Sequence, residues 1–250
     1  MVQLRSDIDA LERCKLDPEI TLAAWQFDQE LRETLDGDLR QKLVEWGAYP
    51  ARKALVVGAF WPELVIELAR KDMFVTVVDD DANRLSAMSA AAAEAGLLTT
   101  VTCIAGNYIE RTFEPGAFNL VVLWDVINRY TDYQPLLKKV TRELKTGGQL
   151  FLRSKIKGIG SIAPKGALDR NELMTLVEEL LVVQESIFHH VTASRVAEKA
   201  CTSGLAKKML PSALSADRSL LRASTGMARY VAILAAKEKQ LGKVSFNLRS

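Results

Sequence analysis

Apolar side chains recur at steps of three and four near the start of the chain. Leu22, Trp25, Leu31, Leu35, Leu39, Leu43 and Trp46 fall on one stripe, the periodicity of an α-helix with one buried face. The spacing predicts helices over 3–16 and 18–47. Pro18 suits a first helical turn, and Gly47 and Pro50 end the helical region. From Ala54 the period changes, and short apolar runs alternate with helical stretches. The run KALVVGAF (53–60) gives a strand, Pro62 opens a helix through ELVIELARKD, and FVTVVD (74–79) gives a second strand. ANRLSAMSAAAAEAG is an alanine-rich helix closed by Gly96, and TTVTCIAG is a third strand. FNLVVLWD (118–125) is apolar on both faces, as a central parallel strand is. A helix through YQPLLKKVTRELK, stopped by Gly147 and Gly148, leads into a fifth strand, QLFLRSKI. ELLVVQESIFHH reads as helix and then strand six, and GMARYVAILAAK as strand seven, with a helical insertion between them.

Strands alternating with helices imply an α/β fold with a doubly wound, mostly parallel seven-stranded sheet, whose ligands sit at the carboxyl ends of the strands. The expected organisation is an N-terminal helical cap over 1–50 and a Rossmann-like domain over 51–250, with a basic helical insertion at about 191–225 before the last strand.

Composition agrees with this reading. At 250 residues, 48% hydrophobic and 26% charged, the chain can bury one full-sized core. Its net charge of +2 is unevenly spread: residues 1–50 carry six basic and eleven acidic side chains, whereas from Arg195 onward eleven basic residues face only Glu198, Asp217 and Glu238. Cys14, Cys103 and Cys201 are odd in number and lack metal-ligand spacing, so neither a zinc site nor a disulfide framework is indicated. No metal is expected. The start MVQLRSDIDALERCKL has no apolar run or small-residue cleavage site, and no stretch of about 20 apolar residues occurs. A reducing cytoplasm, with no membrane association, is the expected setting.

The chemistry begins at the first strand-helix-strand unit. An apolar strand broken by Gly58 and a second ending on Asp79 describe a nucleoside site with a carboxylate on the ribose. The turn is unusual, because Ala59, Phe60, Trp61 and Pro62 stand where such sites keep further glycines. Plainer readings run alongside. Gly58 serves equally as a turn glycine, and DDDAN reads as a helix N-cap in which Asp80 or Asp81 supplies the oxygen. Asn107 is an ordinary turn residue, and Trp61 and Trp124 are core aromatics.

Four blocks in order, ALVVG with its turn, VTVVDDDANRL, the pair Gly106–Asn107, and FNLVVLWDVINRY followed by LLKKVTRELKTGGQLFL, resemble the class I S-adenosylmethionine-dependent methyltransferases. The resemblance covers roughly residues 50–155, and LKTGG is similar to that family's LKPGG turn. It implies S-adenosylmethionine as cofactor and S-adenosylhomocysteine as product. Gly58 would let the first loop pass the methionine portion, with Phe60 and Trp61 packing beside it. Asp79 would bind the ribose hydroxyls next to Asp80, Asn107 would face the adenine amine, and Tyr108 would flank the ring. Leu123, Trp124 and Asp125 would meet the cofactor's ammonium. In the family's acidic-x-Gly-x-Gly-x-Gly turn the acidic position is Val56 here, and the second and third glycines are Phe60 and Pro62.

Methyl transfer asks for in-line positioning, and for a general base only where the acceptor loses a proton. The candidate catalytic residues are Asp125 and Asn128 beyond strand four and the adjacent His189 and His190. Strand alternation predicts that only one histidine faces the cleft. The basic insertion suits a small anionic acceptor such as a carboxylate or phosphate. Aromatic interleaving is absent from it, which argues against nucleic acid, and a homodimer is compatible with the reading. The expected function is methyl transfer from S-adenosylmethionine to a small molecule. The alternative is a noncatalytic methyltransferase-like protein that binds or regulates a partner. A nicotinamide-dependent oxidoreductase is disfavoured by the missing glycines and the LKTGG block.

Overall fold

The computed structural model describes residues 29–49, 52–158, 166–191, 193, 196 and 204–238. The expected helix over 3–16 and the first part of that over 18–47 lie outside the described residues. Within them, helix α1 spans Gln29–Gly47, and β1 (Lys53–Val57), α2 (Pro62–Arg70), β2 (Phe74–Asp79), α3 (Ala82–Glu94) and β3 (Val101–Ala105) follow. Next come β4 (Phe118–Trp124), α4 (Gln134–Glu143), β5 (Leu144–Lys155), α5 (Arg170–Leu180), β6 (Val182–His189), α6 (Gly204–Ala223) and β7 (Tyr230–Ala236). The alternation read from the apolar pattern is the alternation of the fold.

The seven strands form one sheet in the order β3-β2-β1-β4-β5-β7-β6. Neighbours from β3 through β5 are parallel, and β7 is antiparallel to both β5 and β6. Strand order reverses between β1 and β4, and that reversal opens the crevice in which doubly wound sheets bind ligands. Leu55 and Val56 of β1 and Leu120 to Leu123 of β4 are buried. A central strand covered on both faces needs apolar residues in sequence rather than in alternation.

Each face of the sheet has its own core. On one face Leu43 of α1 packs with Leu64 and Leu68 of α2, Met88 of α3 and Phe151 of β5. On the other, Leu136 and Val140 of α4 join Leu173 and Val177 of α5 against Leu123, Leu152 and Val231. Helix α1 is therefore part of the main core.

Helix starts follow the sequence closely. Pro62 occupies the first turn of α2, and Asp81 caps α3 by accepting from the backbone N–H of Asn83 and Arg84. The LKTGG turn differs from expectation. Helix α4 ends at Glu143, and Leu144 is already extended, buried and paired with Phe118 at the start of β5. The register then shifts between Phe118 and Leu120, so the two glycines lie within an irregular strand opening. Gly147 adopts φ +76°, and a Cβ on Gly148 would lie 2.8 Å from the carbonyl of Lys145. The stop therefore belongs to the burial of Leu144, and the glycines serve the bulge.

A closed cleft and a polar centre at the carboxyl edge

The carboxyl ends of β1 and β2 are tied together by Asp79. The Gly58 N–H continues the ladder to the Val78 carbonyl at 2.8 Å, and Gly58 adopts φ +91°, a conformation that favours glycine. The chain then turns so that the Ala59 N–H donates to Asp79 Oδ2 at 2.6 Å. Asp79 Oδ1 accepts from the Asp81 N–H at 2.8 Å and from Arg84 Nε at 2.9 Å, and its side chain is fully buried. Arg84, itself buried, also reaches Asp80 at 3.0 Å. Arg129, in the 3₁₀ turn after β4, closes on Asp80 at 2.9 Å. Burial would raise the carboxyl pKa of Asp80, and Arg129 outweighs it to hold that pKa below its ordinary value.

Phe60 fills the space above this network. A Cβ on Gly58 would lie 2.5 Å from Phe60 Cε2. The Arg84 and Arg129 guanidinium carbons stand 4.8 and 5.4 Å from the ring centre, within cation–π range. The second glycine of the edge is covered as well: at Gly106 (φ +126°) a Cβ would lie 2.5 Å from Arg111 Nη2, and that guanidinium donates to the Ala105 carbonyl. Gly58, Asp79 and Gly106 thus meet at the carboxyl ends of β1, β2 and β3. Phe60 covers Gly58, Arg84 engages Asp79 and Arg111 covers Gly106.

The remaining cofactor candidates separate into two groups. Asn107 caps a 3₁₀ turn, its Oδ1 accepting from the Ile109 N–H at 3.2 Å and the Tyr130 hydroxyl at 3.1 Å. Tyr108 points into the core, where its hydroxyl donates to Glu143 at 2.5 Å, and burial followed by the Glu143 charge pushes its pKa well up. Leu123 is fully buried. Trp61 and Trp124 pack edge to face at 4.9 Å, Trp124 stacks on Phe151, and neither indole N–H has a hydrogen-bond partner. Asp125 is different. It adopts φ +56°, its Oδ2 accepts from Arg153, and its buried Oδ1 has no partner.

Asp125 opens onto a second polar centre. Buried Arg153 of β5 bridges Asp125 and Asp36 of α1, at 2.9 Å from the latter, and lies 4.2 Å from the Tyr230 ring centre. His190 Nε2 stands 2.8 Å from Asp36 Oδ1, and His189 Nδ1 lies 3.7 Å from the same oxygen. Both histidines therefore reach this centre, contrary to strand alternation. The reason is local: the strand ends at His189, and His190 turns left-handed at φ +56°, its carbonyl accepting from the Arg229 N–H. Burial would raise the Asp36 pKa, yet Arg153 and His190 hold it well below the carboxylate range. Burial, then His190 and Arg153, push His189 well below the ordinary histidine value. Asn128 is not in this group. It secures the loop, donating to the Lys155 and Gly166 carbonyls at 3.0 and 2.9 Å and accepting from the Lys155 N–H at 2.9 Å.

A cavity of about 510 Å³ adjoins the histidines, between α1, the end of β6 and α6; Asp36, His189, His190, Asp217 and Arg218 contribute polar groups to its lining. Asp36, His189 and His190 also place three metal-ligand atoms within 4.8 Å of one another. The Arg153 guanidinium already beside Asp36 puts a positive charge where a dication would sit, which opposes metal binding.

Of the residues that hold both centres, Arg129 belongs to the cluster beyond strand four that carries Asp125 and Asn128, whereas Arg84, Arg153 and Asp36 were not among the sequence candidates. Signals for these three exist. Asp36 lies on the apolar stripe with Leu39 and Leu43, Arg84 follows Asp80 by four residues, and Arg153 interrupts the apolar strand LFLRSK.

This sheet order, with a turn glycine at β1, a carboxylate at β2 and an antiparallel β7, defines the class I methyltransferase fold. Residues 55–152 match the family model described as "Methyltransferase domain", the segment that carries the first cleft. Among solved structures, geranyl diphosphate C-methyltransferase from Streptomyces coelicolor A3(2), crystallised with Mg²⁺, geranyl-S-thiolodiphosphate and S-adenosyl-L-homocysteine, is similar at TM-score 0.61 and 19% identity, over 80% of this chain and 76% of that one. A SAM-dependent methyltransferase from Aquifex aeolicus gives 0.59 and 11%, over 89% and 100%. The cyclase SpnF gives 0.62 and 15%, over 80% of each chain. No curated protein matches. Among the described residues no helix is long and apolar enough to cross a membrane.

Proposed function

We propose that this chain binds S-adenosylmethionine at the carboxyl edge of β1, β2 and β4 and is a methyltransferase acting on a small molecule. The observation that carries the reading is the Gly58 turn joined to Asp79 at the reversal of strand order, inside the segment that matches a methyltransferase domain. Gly58 and the Trp61–Trp124 pair would flank the methionine portion, and Asp79 with Asp80 the ribose. Asn107 would lie on the adenine side, and the unpartnered Asp125 Oδ1 on the ammonium side. Once bound, the cofactor supplies an electrophilic methyl group, and the protein's share is positioning and exclusion of water.

The cavity beside His189 and His190 is the acceptor side of this reading. His189 is neutral at physiological pH because burial disfavours its charged form. Its Nε2 is buried with no hydrogen-bond partner, so it can hold a hydroxyl or take up a proton released as the acceptor attacks. Asp36 and Arg153 orient the pair. Arg40, Lys42 and Arg218 share the cavity wall with Glu33, Asp36, Asp38 and Asp217. That mixture of signs favours a small polar acceptor over a strongly anionic one.

One observation favours the second reading, a noncatalytic relative: the Phe60 ring lies on Gly58, where the cofactor would pass. Calorimetry with S-adenosylmethionine and S-adenosylhomocysteine separates the two. Micromolar binding by the folded chain supports the methyltransferase, and absence of binding overturns it.

A further inference from the structure

We propose that Phe60 sets the cofactor affinity of this chain: its ring, clamped by Arg84 and Arg129 against Gly58, occupies ground the cofactor needs, and binding proceeds by displacing it. The proposal rests on the reading of this edge as a S-adenosylmethionine site.

The ring fits its position closely. It approaches Gly58 on the side where any other residue would carry a Cβ, at 2.5 and 2.6 Å from that point, so its seat exists only because residue 58 is glycine. The clamp is anchored on both sides. Arg84 is held by Asp79 and Asp80, and Arg129 by Asp80, so one aromatic ring, two cations and two carboxylates close across β1, β2 and the turn after β4. The same ground is what the cofactor would use, its ribose hydroxyls seeking the aspartates and its methionine portion passing Gly58. Ring and cofactor therefore compete for one set of partners.

Such competition has a defined consequence. The apparent dissociation constant equals the intrinsic one divided by the fraction of molecules with the ring displaced. Removing the ring should tighten binding. A gain of affinity cannot be imitated by partial unfolding, which only weakens binding.

The test is calorimetric titration of S-adenosylhomocysteine into the full chain and into Phe60→Ala and Arg129→Met. Phe60→Ala is expected to bind about tenfold tighter or more, and Arg129→Met, which keeps the ring but loosens its clamp, severalfold tighter. Should Phe60→Ala fail to fold by circular dichroism, Arg129→Met carries the test. Equal or weaker binding by the folded variants, with the unaltered chain binding, would overturn the gate and leave the cofactor reading standing. No binding by any folded protein would overturn the cofactor reading and the gate with it.

Discussion

The two ends of the carboxyl edge are built on the same device and finished differently. At β1 and β2 a buried aspartate, Asp79, meets a buried arginine, Arg84, and every Asp79 oxygen is engaged within the chain. At β4, β5 and β6 another buried arginine, Arg153, joins Asp125 and Asp36, but Asp125 Oδ1 and His189 Nε2 are left buried without partners, and His189 lines a cavity. The first end is saturated, and the second is unfinished. A buried polar atom without a partner costs roughly 1–3 kcal/mol, a cost a bound molecule can relieve. Two non-glycine residues in left-handed conformation, Asp125 and His190, also fall at the second end. Backbone strain of this kind concentrates at ligand sites.

The largest effect separating the two ends should come from Arg153→Ala. It leaves Asp36 and Asp125 buried without their cation, and unfolding in urea should show a loss of about 3–5 kcal/mol. A loss under about 1 kcal/mol would mean that water or His190 already satisfies them. At the saturated end, Asp79→Asn removes the charge that holds Ala59 and Arg84. The expected loss is about 1.5–3 kcal/mol in stability, with cofactor binding weakened as well. Unchanged affinity would show that Asp79 serves only the fold.

Acid should distinguish the ends next. The pKa of His189 is depressed in the folded chain, so below about pH 6.5 the unfolded chain takes up a proton that the folded chain refuses. Stability therefore falls as pH drops through that range, by up to about 1.4 kcal/mol per pH unit for this one group. Asp36, also depressed, adds its own loss below about pH 4. Denaturation midpoints from pH 8 to pH 5 should show the slope, and His189→Gln should flatten it; an equal slope in that variant would place the titration elsewhere. The smallest effect is Asp81→Ala, which removes only the α3 cap and should cost about 1 kcal/mol. A loss as large as that of Asp79→Asn would mean the two adjacent aspartates share one role.

The sheet was legible in the sequence because each buried strand needs a continuous apolar run, and VVLW, FVTVVD and LFL supply one. A cap at Asp80 or Asp81 and Pro62 as helix start were legible because local backbone chemistry determines them, and the structure places the cap at Asp81. The end of α4 was less so: glycines mark a stop, but the burial of Leu144 against Phe118 decides where the strand begins. The convergence of His189 and His190 was hidden, because a left-handed residue at a strand end overrides the two-residue alternation. Phe60 was visible as bulk in place of glycine. Its two clamping arginines come from α3 and from the turn after β4, and only the fold brings them together.

The most direct test of the account is a crystal structure of the full chain with S-adenosylhomocysteine. The ribose is expected at Asp79–Asp80, with the Phe60 ring moved off Gly58 and the amino acid portion passing Gly58 to lie beside Asp125. Density for the ligand elsewhere, or a Phe60 ring still seated on Gly58 at full ligand occupancy, would contradict it.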